Sequence, residues 1–224
     1  MSDGTRRAFL VGGVASGALL VGGVARAKPD EKGKPDDSVS PTEDLMREHG
    51  LLRRLLLVYG EAARRIAAQQ PFPSDALTRA ATIIREFIED YHERDEEEYV
   101  FPAMEKAKKL TDLVRVLRTQ HQAGRKLTAD VLRLTGARDD ADRRLLADSL
   151  RRFVRMYEPH AAFEDTVLFP AFRAVVGDKQ LAKLQDVFEK KEQALPHGNF
   201  EKVLSDVDGI EVAFGVHDLQ QFTP

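Results

Sequence analysis

The chain has 224 residues, with 34 Lys+Arg against 37 Asp+Glu and a formal net charge of −3. There is no basic excess to neutralise phosphates, which argues against nucleic acid as a partner, and 42% hydrophobic residues can fill a core, which excludes wholesale disorder. Cysteine is absent, which removes disulfides, thiol catalysis, iron–sulfur ligation and Cys-type zinc sites, so any metal is held by nitrogen and oxygen.

Residues 1–27 read as an export signal. Arg6 and Arg7 precede a weakly hydrophobic, glycine-interrupted run from Phe9 to Ala25, and Ala25-Arg26-Ala27 closes it as a small-x-small cleavage pattern. Two adjacent arginines before such a run resemble a twin-arginine signal. That implies the twin-arginine export machinery as a partner, passage of a folded chain, and a periplasmic or exported location with no membrane association after cleavage. The alternative is an uncleaved anchor, for which the run is short. Residues 28–40 lack apolar content and read as a disordered, solvated linker.

Ser40-Pro41-Thr42-Glu43 is a capping box with proline at the first helical position, so a helix begins there. Leu45, His49, Leu52, Leu56, Tyr59, Ala63 and Ile66 follow at three- and four-residue steps, and Pro71 and Pro73 end the pattern. A second stripe runs Leu77, Ala81, Ile84, Ile88, His92, Glu96, Tyr99, Ala103; a third runs Leu110, Val114, Leu117, His121, Gly124, Thr128, Val131 and stops by Gly136. The fourth runs Leu146, Leu150, Phe153, Tyr157, His160, Glu164, Leu168 and ends near Gly177. Two shorter amphipathic stretches follow, 179–195 and 200–214, the second closed by Gly215. Strand-type alternation is nearly absent. The predicted fold is all-α: an antiparallel, up-down four-helix bundle over 41–195, with additional C-terminal helices and a tail at 196–224. Pro102 and Pro159 fall inside helical stripes, where each should bend or end the helix. A kink at Pro159 would aim His160.

Four of the six histidines, His49, His92, His121 and His160, sit on the inward stripes of four different helices. Two have a glutamate one turn later, His92-x-x-x-Glu96 and His160-x-x-x-Glu164, and positions i and i+4 present their side chains to one region. The surroundings repeat. His92…Glu96-Glu97…Phe101-Pro102-Ala103 matches His160…Glu164-Asp165…Phe169-Pro170-Ala171 at an offset of 68, and His49 matches His121 at 72. With a rise of about 1.5 Å per residue, all six side chains can occupy one layer of the bundle. An unpaired charge in such a core costs several kcal/mol, about what a bound cation would relieve. Four imidazoles and two carboxylates suit two first-row metals with coordination positions left free.

The pattern His…His-x-x-x-Glu…His…His-x-x-x-Glu on four helices resembles the hemerythrin-like, HHE cation-binding family. The resemblance implies a non-haem di-iron centre that binds dioxygen, nitric oxide or peroxide. His49, His92, His121 and His160 would be terminal ligands, with Glu96 and Glu164 bridging two iron ions; manganese or zinc are alternatives. Oxygen-carrying members have a further histidine where this chain has Arg125, which cannot ligate, and an aspartate at the spacing of Asp165, beside Glu164. The internal repeat favours Glu164. The missing imidazole weakens reversible oxygen carriage and strengthens reactive chemistry. Iron–sulfur repair is disfavoured by the lack of cysteine.

Among the other polar residues, Glu48, Glu93, Asp95, Glu97 and Glu98 read mostly as a solvated face, with Glu97 a possible acceptor for a ligand imidazole. Gly124 leaves room either for a small ligand or for close helix contact. Tyr59, Tyr91 and Tyr157 read as core, with proton or electron delivery as a minor alternative. Arg125 reads as a surface ion-pairing residue, and His197 and His217 as non-ligands. Two further functions stay open: a di-iron peroxidase or oxidase at the same centre, and a non-catalytic helical interaction module with zinc or no metal.

Overall fold

The computed structural model of the protein describes residues 39–195 and 198–224. The export signal expected at 1–27, the linker up to residue 38, and His197 lie outside the described residues.

Ser40 starts α1 (Pro41–Ala67). Its hydroxyl accepts from the Glu43 N–H, and the Glu43 carboxylate accepts from the Ser40 N–H at 3.1 Å, so two free donors at the helix start are satisfied reciprocally. The second rod begins with α2 (Ser74–Ile83) and runs without a break through a π-helical stretch, Ile84–His92. It continues through the short α3 (Glu93–Asp95), a second π-helical stretch, Glu96–Val100, and α4 (Phe101–Lys106). Leu110, at φ 51°, turns the chain into α5 (Thr111–Leu134). The Asp139 side chain accepts from two backbone N–H groups to cap α6 (Asp140–Phe163), which passes through π-helical Glu164–Leu168 into α7 (Phe169–Val176). Gly177, at φ 72°, ends that rod and leads to α8 (Asp178–Gln193), and α9 (Phe200–Phe214) follows. There is no strand among the described residues. The architecture is the all-α hemerythrin-like bundle with extra C-terminal helices.

Of the two outcomes expected at the prolines, ending the helix does not occur. Neither Pro102 nor Pro159 ends its helix: the second rod continues to Lys106, and α6 runs on past Pro159 to Phe163. Pro102 and Pro170 each stand two residues beyond the end of a π-helical stretch, directly after Phe101 and Phe169, which donate to the carbonyls of Glu96 and Glu164, five residues back. A widened turn accommodates a nitrogen that has no hydrogen to donate. Both wide turns begin at the glutamates of the two His-x-x-x-Glu motifs.

The bundle holds two apolar cores rather than one. The larger takes Leu52, Leu55, Tyr59, Ile84, Ile88, Val131, Leu150, Phe153 and Tyr157, together with Val207, Ile210 and Phe214 of α9. The smaller takes Leu45, Phe101, Met104, Val114, Leu117, Phe169 and Phe172, with Leu181, Leu184 and Phe188 of α8. Along every rod the candidate ligand lies between the two: His49 between Leu45 and Leu52, His121 between Leu117 and Val131. The apolar residues on both sides keep this polar layer away from water, where an uncompensated charge is expensive.

Candidate metal centre

All six predicted residues meet in that layer, each at most 3% exposed. Glu96 faces imidazoles from both hairpins: its Oε1 is 3.8 Å from His92 Nε2, and its Oε2 is 3.4 Å from His121 Nε2. Glu164 does the same from the other half, with Oε2 at 3.0 Å from His160 Nε2 and 3.3 Å from His49 Nε2. The ligating atoms form two overlapping groups, Glu96–His121–His160–Glu164 and His49–His92–Glu96, each within 4.8 Å. Glu96 belongs to both. One carboxylate is thus common to two candidate cation positions, and Glu164 lies in one of them.

Each imidazole turns Nε2 inward and gives Nδ1 to an outer partner. His49 donates to Asp165 at 2.6 Å, His92 to Glu48 at 2.6 Å, His121 to Glu97 at 2.9 Å, and His160 to Gln120 at 2.9 Å. With Nδ1 donating outward, the Nε2 of a neutral ring keeps its lone pair for the centre, which is the tautomer a metal requires. The internal repeat extends to this outer ring. Glu97 and Asp165 follow the two bridging glutamates, and each meets an arginine one turn beyond a histidine: Arg125 with Glu97 at 2.9 Å, Arg53 with Asp165 at 2.5 Å. Phe101 packs on the His121 ring and Phe169 on the His49 ring, with centroids 5.3 and 5.5 Å apart. Each F-P-A phenylalanine thus covers an imidazole of the opposite hairpin.

The donor set fits a cation pair. No oxygen of Glu96 or Glu164 accepts a hydrogen bond, nor does His121 Nε2, and buried acceptors are rarely left so. His49 and His92 face each other Nε2 to Nε2 at 3.1 Å, a hydrogen-bond distance, so one proton is shared there, and a cation that both nitrogens ligate would take that proton's place. Burial and the neighbouring Glu164 charge push the Glu96 carboxyl well above its ordinary range, while burial, reinforced by His49, holds His92 well below its own. Burial likewise lowers His121, so these two imidazoles are neutral and ready to ligate, whereas His49, though burial lowers it, is raised overall by the Asp165 and Glu164 carboxylates. A Glu96 carboxylate beside that of Glu164 is tolerable only against positive charge.

The model of the hemerythrin HHE cation-binding domain matches residues 40–172 and again 112–196. The chain belongs to that family. Uncharacterized proteins of Mycobacterium tuberculosis (strains H37Rv and CDC 1551) and of Mycobacterium bovis are each 44% identical to it over 232 residues, covering 99% of this chain and 91% of theirs. No solved structure matches. Fold and cluster together make this hemerythrin-like chain a metal-binding helical protein.

Around the hemerythrin-like core several expected roles change. Glu48, Glu93 and Asp95 are not on a solvated face but buried, at 1–3% exposure; only Glu98 of that group is exposed. Glu48 holds His92, Asp95 pairs with Lys191 of α8, and Glu93 accepts from the Tyr157 hydroxyl at 2.5 Å and pairs with Arg125 at 2.9 Å. Burial pushes Glu93 up to about 8, even against those two partners. The signal was present: Leu45, Glu48 and Leu52 are helically spaced, as are His92, Asp95 and Tyr99, so the acids share the inward stripe. Arg125 is half-buried between Glu93 and Glu97 rather than on the open surface. Gly124 leaves room for Tyr157, since a Cβ there would lie 2.0 Å from the tyrosine oxygen. Tyr59 and Tyr91 lie in the larger core, and His217 is exposed. Asp165 serves the outer side of His49, whereas Glu164 faces the centre.

Proposed function

We propose that the protein is a non-haem di-iron protein that binds dioxygen, nitric oxide or peroxide, with His49, His92, His121 and His160 as terminal ligands and Glu96 and Glu164 as bridges. The observation that carries this reading is the pair of hydrogen-bond-free carboxylates, each set against imidazoles of both hairpins. Iron held by such a set supplies open coordination positions and a redox couple to a small bound molecule. The chain's own residues do the rest. Asp165, Glu48, Glu97 and Gln120 fix the imidazole tautomers, Phe101 and Phe169 exclude water from two of the rings, and Arg53 and Arg125 balance the outer carboxylates. Export by the twin-arginine route is part of the proposal, because a folded chain would leave the cell with its metals seated.

Anaerobic iron loading of the full chain should give about two irons per chain, with near-ultraviolet absorption that shifts on adding azide or nitric oxide. Sub-stoichiometric metal after such loading would defeat the reading. A di-iron peroxidase is the second reading, favoured by Tyr157, whose ring lies 5.1 Å from that of His160 while its hydroxyl is bonded to Glu93. Catalysed loss of hydrogen peroxide that disappears in Glu96→Ala would select it over simple binding.

A further inference from the structure

The two halves of the centre match residue for residue in the inner ring and in most of the outer one, and they part company along one seam. A groove of about 400 Å³ opens between α5 and α6, lined by Leu113, Val116, Leu117, Pro159 and Phe163 together with Gln120 and His160; its one charged residue, Asp112, is exposed and paired with Arg115. At the same offsets that align the ligands, the first half carries Asp44 where the second has Val116, Glu48 for Gln120, Tyr91 for Pro159, and Asp95 for Phe163. One seam is therefore acidic and the other apolar. The acidic seam is also occupied, for Lys191 of α8 reaches in to pair with Asp95 and with Glu98. Nothing among the described residues covers the apolar seam, where Val116 and Phe163 are 49% and 54% exposed. Gln120 completes the contrast. His49, His92 and His121 each lean on a carboxylate, whereas His160 leans on a neutral amide.

We infer that this groove is the route by which small uncharged molecules reach the centre, and that they arrive on the His160 side. The inference rests on the di-iron reading above. An apolar lining favours a neutral, weakly hydrated molecule over an anion, which must shed its water to enter. A carboxylate in place of Gln120 would put a fixed negative charge at the inner end of the passage. The other three imidazoles offer no comparable approach, being backed by acids: Asp165 is paired with Arg53 and Glu97 with Arg125, and Glu48, behind His92, is itself buried.

The test uses the full chain, with nitric oxide and xenon as probes. Crystals under xenon pressure, with or without metal, should show the gas in the groove, since apolar cavities take up such atoms. Val116→Trp and Phe163→Trp, both at exposed positions, should abolish xenon uptake there. In iron-loaded protein each should slow nitric oxide association about tenfold and dissociation by the same factor, leaving the equilibrium affinity unchanged, as obstruction of a path must. Two irons per chain with unaltered nitric oxide rates in both variants would overturn the route alone. Absence of xenon from the unmodified groove would also overturn it. Failure of the unmodified chain to take up metal would overturn the di-iron reading and the route with it. A concentration-dependent dimer that Val116→Asp disperses would assign the apolar face to a second copy of the chain, and would overturn the route too.

Discussion

Gly124 and Tyr157 show how closely the polar layer is fitted. A methyl group at 124 would overlap the tyrosine oxygen and approach two ring carbons within 3 Å. In an exposed helix, Gly→Ala gains about 1 kcal/mol; here overpacking should cost about 1–3 kcal/mol, so Gly124→Ala is expected to lower the urea midpoint. A raised midpoint would mean that Tyr157 moves aside freely. Glu96 makes the opposite case, a residue whose removal helps the empty protein. Burial and the Glu164 charge disfavour its ionised form, so Glu96→Gln should raise the melting temperature in chelator, by about 1 kcal/mol equivalent. The same change should cut metal uptake, and thermal scans with and without chelator would separate the two effects. A loss of stability in chelator would count against an acid pair strained by its own charge. The inner ring was legible because ligand and carboxylate share the helical period. For the outer acids the spacing of Glu48 and Asp95 pointed inward, but their roles were not legible, because a run such as Glu93-Arg94-Asp95-Glu96-Glu97-Glu98 does not name the partners on three other helices that it meets.

At the scale of the elements, the wide turns and the terminal helices carry what the periodicity leaves out. The sequence offered Pro102 and Pro170 as the only hints of π-helical geometry, and a proline alone does not say whether a rod breaks or widens. α8 and α9 were legible as amphipathic stretches, but their docking sites were not, because an apolar stripe does not name the groove it fills. α9 is fixed to α1 by Arg54, whose guanidinium meets Asp208 at 2.5 Å and pairs with Glu211, which is only 7% exposed where Asp208 is 62%. The Glu211 contact should therefore dominate. Arg54→Ala leaves that carboxylate buried without a partner and is expected to cost about 2 kcal/mol, below the usual range for a buried pair because Arg54 is partly exposed. Replacing both residues, Arg54→Ala with Glu211→Leu, should recover most of the loss in urea unfolding. If it does not, the packing of the arginine stem, rather than the stranded charge, holds α9 in place.

For the whole molecule, the decisive feature is a polar layer between two apolar cores, with every rod supplying at least one residue to it. In the empty protein that layer opposes folding: the Glu96 and Glu164 carboxylates accept no hydrogen bond, and burial disfavours the charged forms of Glu96 and His92. A cation pair reverses the sign, and because the ligands come from all four rods, it ties both hairpins together. Binding to the folded chain alone adds about 2.7 kcal/mol per site when free metal exceeds the dissociation constant a hundredfold. For a domain of this size, that corresponds to a rise in melting temperature of about 5–10 °C per site. Chelation should reverse the rise in a single cooperative transition, since no rod can leave the layer without releasing a ligand. Lowering the pH should narrow the gap, because protons compete for the imidazole Nε2 atoms and for the glutamates that the metal needs bare. Superimposed melting curves with and without chelator at neutral pH would mean that protons, not cations, balance the layer, and the curves would then stay superimposed on acidification.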